Sequence, residues 1–151
     1  MSRTLGLISC TKVKKNYPCR AREMYAASDL FRKAYAYAIK HYDDVAILSA
    51  KYGLLSPDEE IIPYELTLNK MTKAYQNAWA ERVFTQLKNR FPFDQISTVF
   101  FHAGIAYRRH LVPLLVEQGI RCVAPMQGLG LGKQKAWYLS HEAGEESRRQ
   151  F

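Results

Sequence analysis

Residues that could take part in chemistry occur in four short segments, and each follows an apolar run of strand length. The segments are residues 9–12, 49–53, 102–104 and 127–132. Their hydroxyl groups can hydrogen-bond a ligand, and their lysines can hold a phosphate. Their glycines let a backbone approach a ligand or a neighbouring helix closely. Together these residue types indicate a site for a polar or anionic ligand, although any one lysine alone would be a solvated side chain.

Three residues are candidates for catalysis. Cys10 could supply a thiolate nucleophile, with a buried structural thiol as the alternative. His102 stands at the end of an apolar run and is placed for acid–base work, with a histidine hydrogen-bonded beneath the loops as the alternative. Glu60 could act as a general base or read a base edge, and a solvated acidic turn is the other interpretation. The sequence leaves all three open.

Several familiar motifs are excluded by their spacing. The glycine-rich run lacks the glycine and the Ser/Thr of a Walker phosphate loop, because Gln127 and Gln134 occupy those positions. Cys10 and Cys19 have no arginine at the spacing of cysteine phosphatases. The four histidines show no ligand spacing and no C-x-x-C occurs, so neither a metal site nor a cofactor is expected.

Composition sets the broad class. The 151 residues are 48% hydrophobic, which suits a single domain over residues 1–151 with a polar tail from about residue 144. Twenty-two basic residues against 14 acidic residues favour an anionic partner such as a nucleobase-containing ligand or DNA. Three unpaired cysteines and the lack of a signal or membrane-spanning segment predict a cytoplasmic protein. The oligomeric state stays open.

Strand and helix patterns alternate four times along the chain. Strands are predicted at residues 5–9, 45–48, 98–101 and 121–124, and helices at 28–41, 72–91, 107–118 and 133–141. This alternation predicts a three-layer α/β domain with a four-stranded parallel sheet in the order 2-1-3-4. All four chemistry-bearing segments would then meet at the carboxyl edge of the sheet, where ligands bind in open α/β folds.

One connection, residues 47–68, is far longer than usual and has no clear periodicity. It is too apolar to remain disordered in water. We therefore expect an ordered loop folded over part of the molecule, with a packed surface Ω-loop as the alternative.

The same stretch carries a family resemblance. Tyr52-Gly53-Leu54 followed by Pro63-Tyr64 resembles the signature of the YaaA peroxide-stress proteins, and residues 8–12 lie where that family has a serine-and-lysine loop. This resemblance implies a cytoplasmic stress-response protein that binds DNA or a modified nucleotide.

A second likeness lies in Pro18-Cys19, Tyr25 and Ser28, whose spacing is similar to a motif of the archaeosine synthase core domain. Met24 and Phe31 replace a proline and a histidine of that motif, so its transferase chemistry does not carry over. Over residues 5–138 the chain most resembles a small bacterial and phage domain family without a settled reaction.

This wider group is similar in fold to uracil-DNA glycosylases, which implies a nucleobase held at the carboxyl edge. The chain is then a base-processing enzyme of glycosidase or transferase type, or a DNA- or nucleotide-binding protein without catalysis. A small-molecule sensor is a third interpretation. The expected ligand-binding residues are Ser9, Thr11, Lys12, Tyr25, Ser28, Ser49, Lys51, Tyr52, Gly53, Tyr64, Gly104, Gly128 and Gly130, with Arg108 and Arg109 as further phosphate contacts.

Overall fold

Apolar runs and capped amphipathic segments give this chain seven strands and six α-helices within the described residues. The computed structural model describes the backbone of residues 3–149 and the side chains of residues 3–141. The strands are β1 (Arg3–Ser9), β2 (Cys19–Arg20), β3 (Asp44–Ser49), β4 (Gly53–Leu55), β5 (Glu60–Ile61), β6 (Ile96–His102) and β7 (Arg121–Val123). The helices are α1 (Ala21–Met24), α2 (Asp29–His41), α3 (Lys73–Arg90), α4 (Ile105–Arg108), α5 (Leu111–Glu117) and α6 (Leu131–Arg149).

The main sheet has the order β4-β3-β1-β6-β7. Strand β1 pairs in parallel with β3 and β6, and β6 pairs in parallel with β7, so the predicted order of the four parallel strands is present. The prediction of a purely parallel four-stranded sheet is wrong, because β4 adds a fifth, antiparallel strand beside β3. Gly53 makes this return possible, since its φ of 76° lies in a region that favours glycine.

Helices cover both faces of this sheet. The crossover β1-α2-β3 runs in one direction along the sheet, whereas the connection through α3 returns across β1 to β6. Because such crossovers are right-handed, α2 and α3 lie on opposite faces. Helix α6 packs against α2, and α5 packs against α3. Strands β1 and β3 are accordingly buried at consecutive positions, as expected for a sheet covered on both sides.

Helix boundaries follow local chemistry. The hydroxyls of Ser28 and Thr72 accept hydrogen bonds from the backbone amides at the starts of α2 and α3, at 3.2 and 3.1 Å. The predicted helix at 107–118 is instead divided into α4 and α5. Pro113 explains the break, because it has no amide hydrogen and its ring clashes with the carbonyl four residues earlier. Helix α6 continues to Arg149 and includes the stretch from residue 144 that we predicted as a polar tail.

The long connection at residues 47–68 is ordered, as predicted, but it is built into the core. Its first part is β4, whose three residues are buried. Its second part, β5, pairs antiparallel with β2 in a small separate sheet. Tyr64 and Leu68 then return to the interior. Apolar side chains therefore decide the course of this connection.

Candidate functional site

A cavity of about 360 Å³ lies beyond the carboxyl ends of β1 and β6. The chain leaves β1 toward β3 on one side and later returns to β6 on the other, so this is the point where the strand order reverses. Ligands of open α/β sheets bind at such a point. Its polar or glycine lining residues are Ser9, Thr11, His102, Gly104, Arg108, Gly128, Gln134 and Tyr138. Six residues predicted from sequence for this site therefore line it: Ser9, Thr11, His102, Gly104, Arg108 and Gly128.

His102 forms part of the wall between two tyrosines. Its Nε2 lies 2.6 Å from the hydroxyl of Tyr42, and its Nδ1 lies 2.6 Å from the hydroxyl of Tyr138. The side chain is only 5% exposed, and burial lowers the pKa of His102 to about 4. A neutral imidazole has one donor and one acceptor nitrogen, so one tyrosine donates to the ring and the other accepts from it. His102 is thus hydrogen-bonded beneath the loops.

Tyr42 and Tyr138 were not recognised from the sequence. Tyr42 stacks on Phe100, with ring centroids 4.5 Å apart, and burial raises its pKa. Burial also raises the pKa of Tyr138, so both phenols stay protonated at neutral pH. Of the two tyrosines, Tyr138 lines the cavity beside His102, and Tyr42 does not. A histidine with two partners distant in sequence leaves no motif, and among ten tyrosines these two carry no distinguishing signal.

Arg108 supplies a cation to the cavity. Its Nε donates to the carbonyl of Ala103 at 3.2 Å, which holds the half-buried side chain against the end of β6. Within the described part of the chain, its two terminal nitrogens make no hydrogen bond, so they can donate to a ligand. Gln134 is held similarly, since its amide nitrogen donates to the carbonyl of Leu129 at 2.9 Å and leaves its oxygen as an acceptor.

A second group of predicted residues lies elsewhere. The hydroxyl of Tyr64 is 2.6 Å from that of Tyr25 and 2.8 Å from that of Ser49. Ser49 also accepts a hydrogen bond from the amide of Tyr52 at 3.0 Å. All three hydroxyl-bearing side chains are buried, and none lines the cavity. This tyrosine cluster of Tyr25, Ser49 and Tyr64 therefore satisfies its own hydrogen bonds.

Cys10 lies beside this cluster. Its Sγ is 3.3 Å from the hydroxyl of Tyr107, which also lies 3.4 Å from the amide of Leu68. Successive side chains of an extended segment point to opposite sides. Ser9 and Thr11 consequently line the cavity, while Cys10 between them is buried beside Tyr107. The catalytic role of Cys10 remains a prediction, and the structure places its thiol outside the cavity.

The other predicted residues are exposed or engaged in local structure. Glu60 is exposed on β5 opposite Arg20. Lys12 is exposed, and so is Lys51, whose Nζ lies 5.3 Å from the ring centroid of Tyr52. None of the four predicted residues Glu60, Lys12, Lys51 and Tyr52 lines the cavity. The structure therefore does not bring Glu60 together with His102.

Backbone and capping roles account for three more residues. The Ser28 hydroxyl caps α2, as described above. Gly53 lies against Gln86, whose side chain bonds the backbone on either side of it. Gly130 stands just before α6, where its carbonyl accepts from the amide of Gln134 at 2.9 Å. Arg109 is exposed and, unlike Arg108, does not line the cavity.

Among the described residues, no group of three or more His, Cys, Asp or Glu side chains is arranged to hold a metal ion. In the same part of the chain, no helix has both the length and the apolar character needed to cross a bilayer.

Comparison with known proteins gives distant relatives. The UPF0246 proteins of Limosilactobacillus reuteri (strain DSM 20016) and of its subspecies reuteri (strain JCM 1112) are each 32% identical to this chain over 101 residues. The match covers 62% of this chain but only 39% of each relative, so the chain spans about two fifths of their length. UPF0246 is the YaaA family, so the resemblance to that family is confirmed at a distance, whereas no comparison shows the archaeosine synthase likeness.

No solved structure gives a significant match. The model of one protein family, described as a family of unknown function (DUF6884), matches residues 5–140. That range covers all the residues that line the cavity and all those of the tyrosine cluster. Because it also includes most of the 151 residues, the chain belongs to the family of unknown function DUF6884.

Proposed function

We propose that this protein binds a nucleobase or nucleotide in the cavity at the carboxyl edge of its sheet. The observation that carries the proposal is the position of the cavity at the reversal point between β1 and β6, with the Arg108 guanidinium on its wall. A volume of about 360 Å³ suits a base or nucleoside, because ligand pockets span about 300–1,000 Å³. A fold like that of uracil-DNA glycosylases is part of this proposal.

The lining chemistry is complementary to a base edge. Arg108 presents donors, the Gln134 oxygen is an acceptor, and the Tyr138 hydroxyl offers one further polar atom. Leu30 and Phe31 of α2 provide apolar contact beside them. A few fixed polar groups in an apolar wall are typical of sites that select a flat heterocycle.

Binding without turnover fits this lining better than base processing does. Most glycoside hydrolases use a carboxylate as nucleophile or general base. Among the described residues that line the cavity there is no Asp or Glu, and Glu60 lies outside it. Both nitrogens of His102 are occupied by tyrosines, so His102 acts on a ligand only through Tyr138. The favoured function is therefore recognition of a base or nucleotide, with DNA protection of the YaaA type as its wider setting.

The enzyme hypothesis remains the second candidate. Its supporting observation is the hydrogen-bonded chain from Tyr42 through His102 to Tyr138, which ends in the cavity. A phenol held in this way could donate a proton to a leaving base. Incubation with nucleosides and modified oligonucleotides, followed by chromatography for released base, separates this candidate from binding alone.

A thermal-shift screen tests the binding proposal. Free bases, nucleosides and mononucleotides are added to the protein, and a ligand at a hundredfold excess over its Kd adds about 2.7 kcal/mol of stability. Arg108→Ala is expected to abolish the shift. Arg109→Ala is the matched control, because Arg109 is adjacent in sequence but does not line the cavity. Equal loss in both variants, or no shift with any of these ligands, contradicts the proposal.

A further inference from the structure

A second recess lies on the other side of Tyr138. It is a groove of about 200 Å³ between α2 and α6, lined by Asp29, Arg32, Lys33, Ala36, Tyr37, Lys40, His41 and Tyr138. Tyr138 lines both this groove and the cavity at the sheet edge, so the two recesses are adjacent. A ligand in the cavity would therefore lie next to the groove, since Tyr138 lines both.

The groove is basic. Among its described lining residues, Arg32, Lys33 and Lys40 are cationic and Asp29 is the one carboxylate. Lys135 of α6 adds a fourth cation, with its Nζ 3.6 Å from Asp29. Among the residues whose side chains the structure describes, positive charge therefore exceeds negative charge along this surface.

Asp29 pairs with three of these four cations, Arg32, Lys33 and Lys135. Its carboxylate lies 2.6 Å from the Nζ of Lys33 and 3.3 Å from a guanidinium nitrogen of Arg32. The surrounding cations, first the hydrogen-bonded Lys33, hold the pKa of Asp29 below its usual range, so it stays ionised. A carboxylate that holds three cations around one point fixes their positions and leaves a net positive surface for an anion.

Aromatic rings stiffen one side of the groove. Tyr37 stacks on His41 with centroids 4.0 Å apart, and Trp137 stacks on His141 at 3.6 Å. The rings of Tyr37 and Trp137 meet edge to face with centroids 4.9 Å apart, which joins the two stacks. The basic groove thus rests on a packed aromatic support that spans both helices.

We propose that the basic groove binds the sugar–phosphate backbone of a single-stranded nucleic acid whose unpaired base enters the cavity. This inference rests on the proposed function of the cavity and makes its substrate a strand instead of a free base. Lys33 and Lys40 are two helical turns apart, about 10 Å along α2, so they reach more than one phosphate. A base can enter this cavity only when it leaves the stack, which favours an unpaired strand.

Oligonucleotide binding tests the groove. The probe is a fluorescein-labelled single strand of about eight nucleotides, within the usual site size of a small domain. DNA and RNA versions distinguish the two sources of a phosphodiester. Anisotropy is measured at several salt concentrations for the wild type and for Lys40→Glu. An exposed ion contact contributes up to about fivefold in affinity, and we expect Lys40→Glu to lose at least that much. The slope of log affinity against log salt should also fall by about one.

Lys88→Glu is the matched control. Like Lys40, Lys88 is exposed and lies in the last turn of its helix, but α3 covers the opposite face of the sheet. Equal losses in both variants would show attraction by net charge alone and would overturn the groove. Mononucleotide shifts that vanish in Arg108→Ala, with oligonucleotide binding that Lys40→Glu leaves unchanged, would overturn the groove while the cavity proposal stands.

A third arm uses an oligonucleotide with an abasic site at its centre. If the strand lies in the groove, Lys40→Glu still weakens binding of this abasic probe, whereas Arg108→Ala no longer does. No mononucleotide shift together with Lys40-dependent binding of both probes would contradict the cavity proposal and keep the groove. Binding of an acidic peptide that displaces the oligonucleotide at equal affinity would overturn the assignment to nucleic acid.

Discussion

The Nδ1 atom of His102 lies 2.6 Å from the hydroxyl oxygen of Tyr138, and this contact joins the end of β6 to helix α6. The second ring nitrogen is held at the same distance by Tyr42. The cavity wall is therefore a buried neutral histidine clamped by two phenols, and its geometry depends on the charge state of that histidine.

Stability should fall as the pH drops from about 6.5 to about 4. Burial lowers the pKa of His102 to about 4 in the folded protein, whereas the unfolded chain has the ordinary value near 6.5. Between these values the unfolded state binds more protons, so the free energy of unfolding rises with pH. The loss at pH 4 relative to pH 7 is expected to be about 3 kcal/mol. Urea unfolding at a series of pH values measures it.

His102→Gln provides the comparison, because its amide can pair with both phenols and does not titrate. The variant should be less stable at pH 7 and should lack much of the slope between pH 4 and pH 6.5. An equal slope in both proteins would mean that groups other than His102 account for the pH dependence.

Tyr64→Phe should reduce the stability of the protein without weakening the binding of a ligand in the cavity. The Tyr64 hydroxyl bonds to Tyr25 and Ser49, and its removal leaves a buried hydroxyl without its partner. Such a loss costs about 1–3 kcal/mol. Tyr17→Phe is the control, since Tyr17 is 52% exposed. The free energy of unfolding in denaturant and the thermal shift caused by the cavity ligand would be measured for both variants. Weaker ligand binding with unchanged stability would restore Tyr64 to the binding role predicted from sequence.

Much of the fold follows from local patterns in the sequence. The order of the four parallel strands could be predicted because each strand is marked by a local apolar run and crossovers between parallel strands are right-handed. Strand β4 was missed, since three residues are too few to show a period of two. Its position depends on Gly53 and on packing against α3, which are contacts between distant parts of the chain.

The site could be predicted only as an edge of the sheet. The sequence placed Ser9, Cys10 and Thr11 together, but alternation along the extended chain sends Cys10 to a different environment. The pairing of His102 with Tyr42 and Tyr138 joins residues 60 and 36 positions apart, and no spacing rule in a single sequence identifies such a contact.

Gly6→Ala should destabilise the protein and disturb His102. Gly6 is buried in β1, and an added Cβ would clash with the ring of Tyr42, whose hydroxyl holds His102. Overpacking of this kind costs about 1–3 kcal/mol. Gly132→Ala is the control, because it lies in α6 with open space around it and should be neutral or stabilising. Unfolding free energies and the NMR chemical shifts of the His102 ring are the measurements. Unchanged ring shifts would show that Tyr42 does not transmit the strain.

Gly53→Ala should cost more than its backbone conformation alone explains. Gly53 and Gly119 have φ angles of 76° and 79°, so alanine at either position incurs about 1–2 kcal/mol of left-handed strain. Only at Gly53 would the new Cβ clash with Gln86, whose side chain accepts from the amide of Leu54 and donates to the carbonyl of Tyr52. Moving Gln86 breaks both bonds and adds about 1–3 kcal/mol. Urea unfolding of Gly53→Ala and Gly119→Ala isolates this difference. Equal losses of unfolding free energy in the two variants would show that Gln86 does not hold the turn between β3 and β4. The ligand-binding role predicted for Gly53 from sequence would then be the explanation to test.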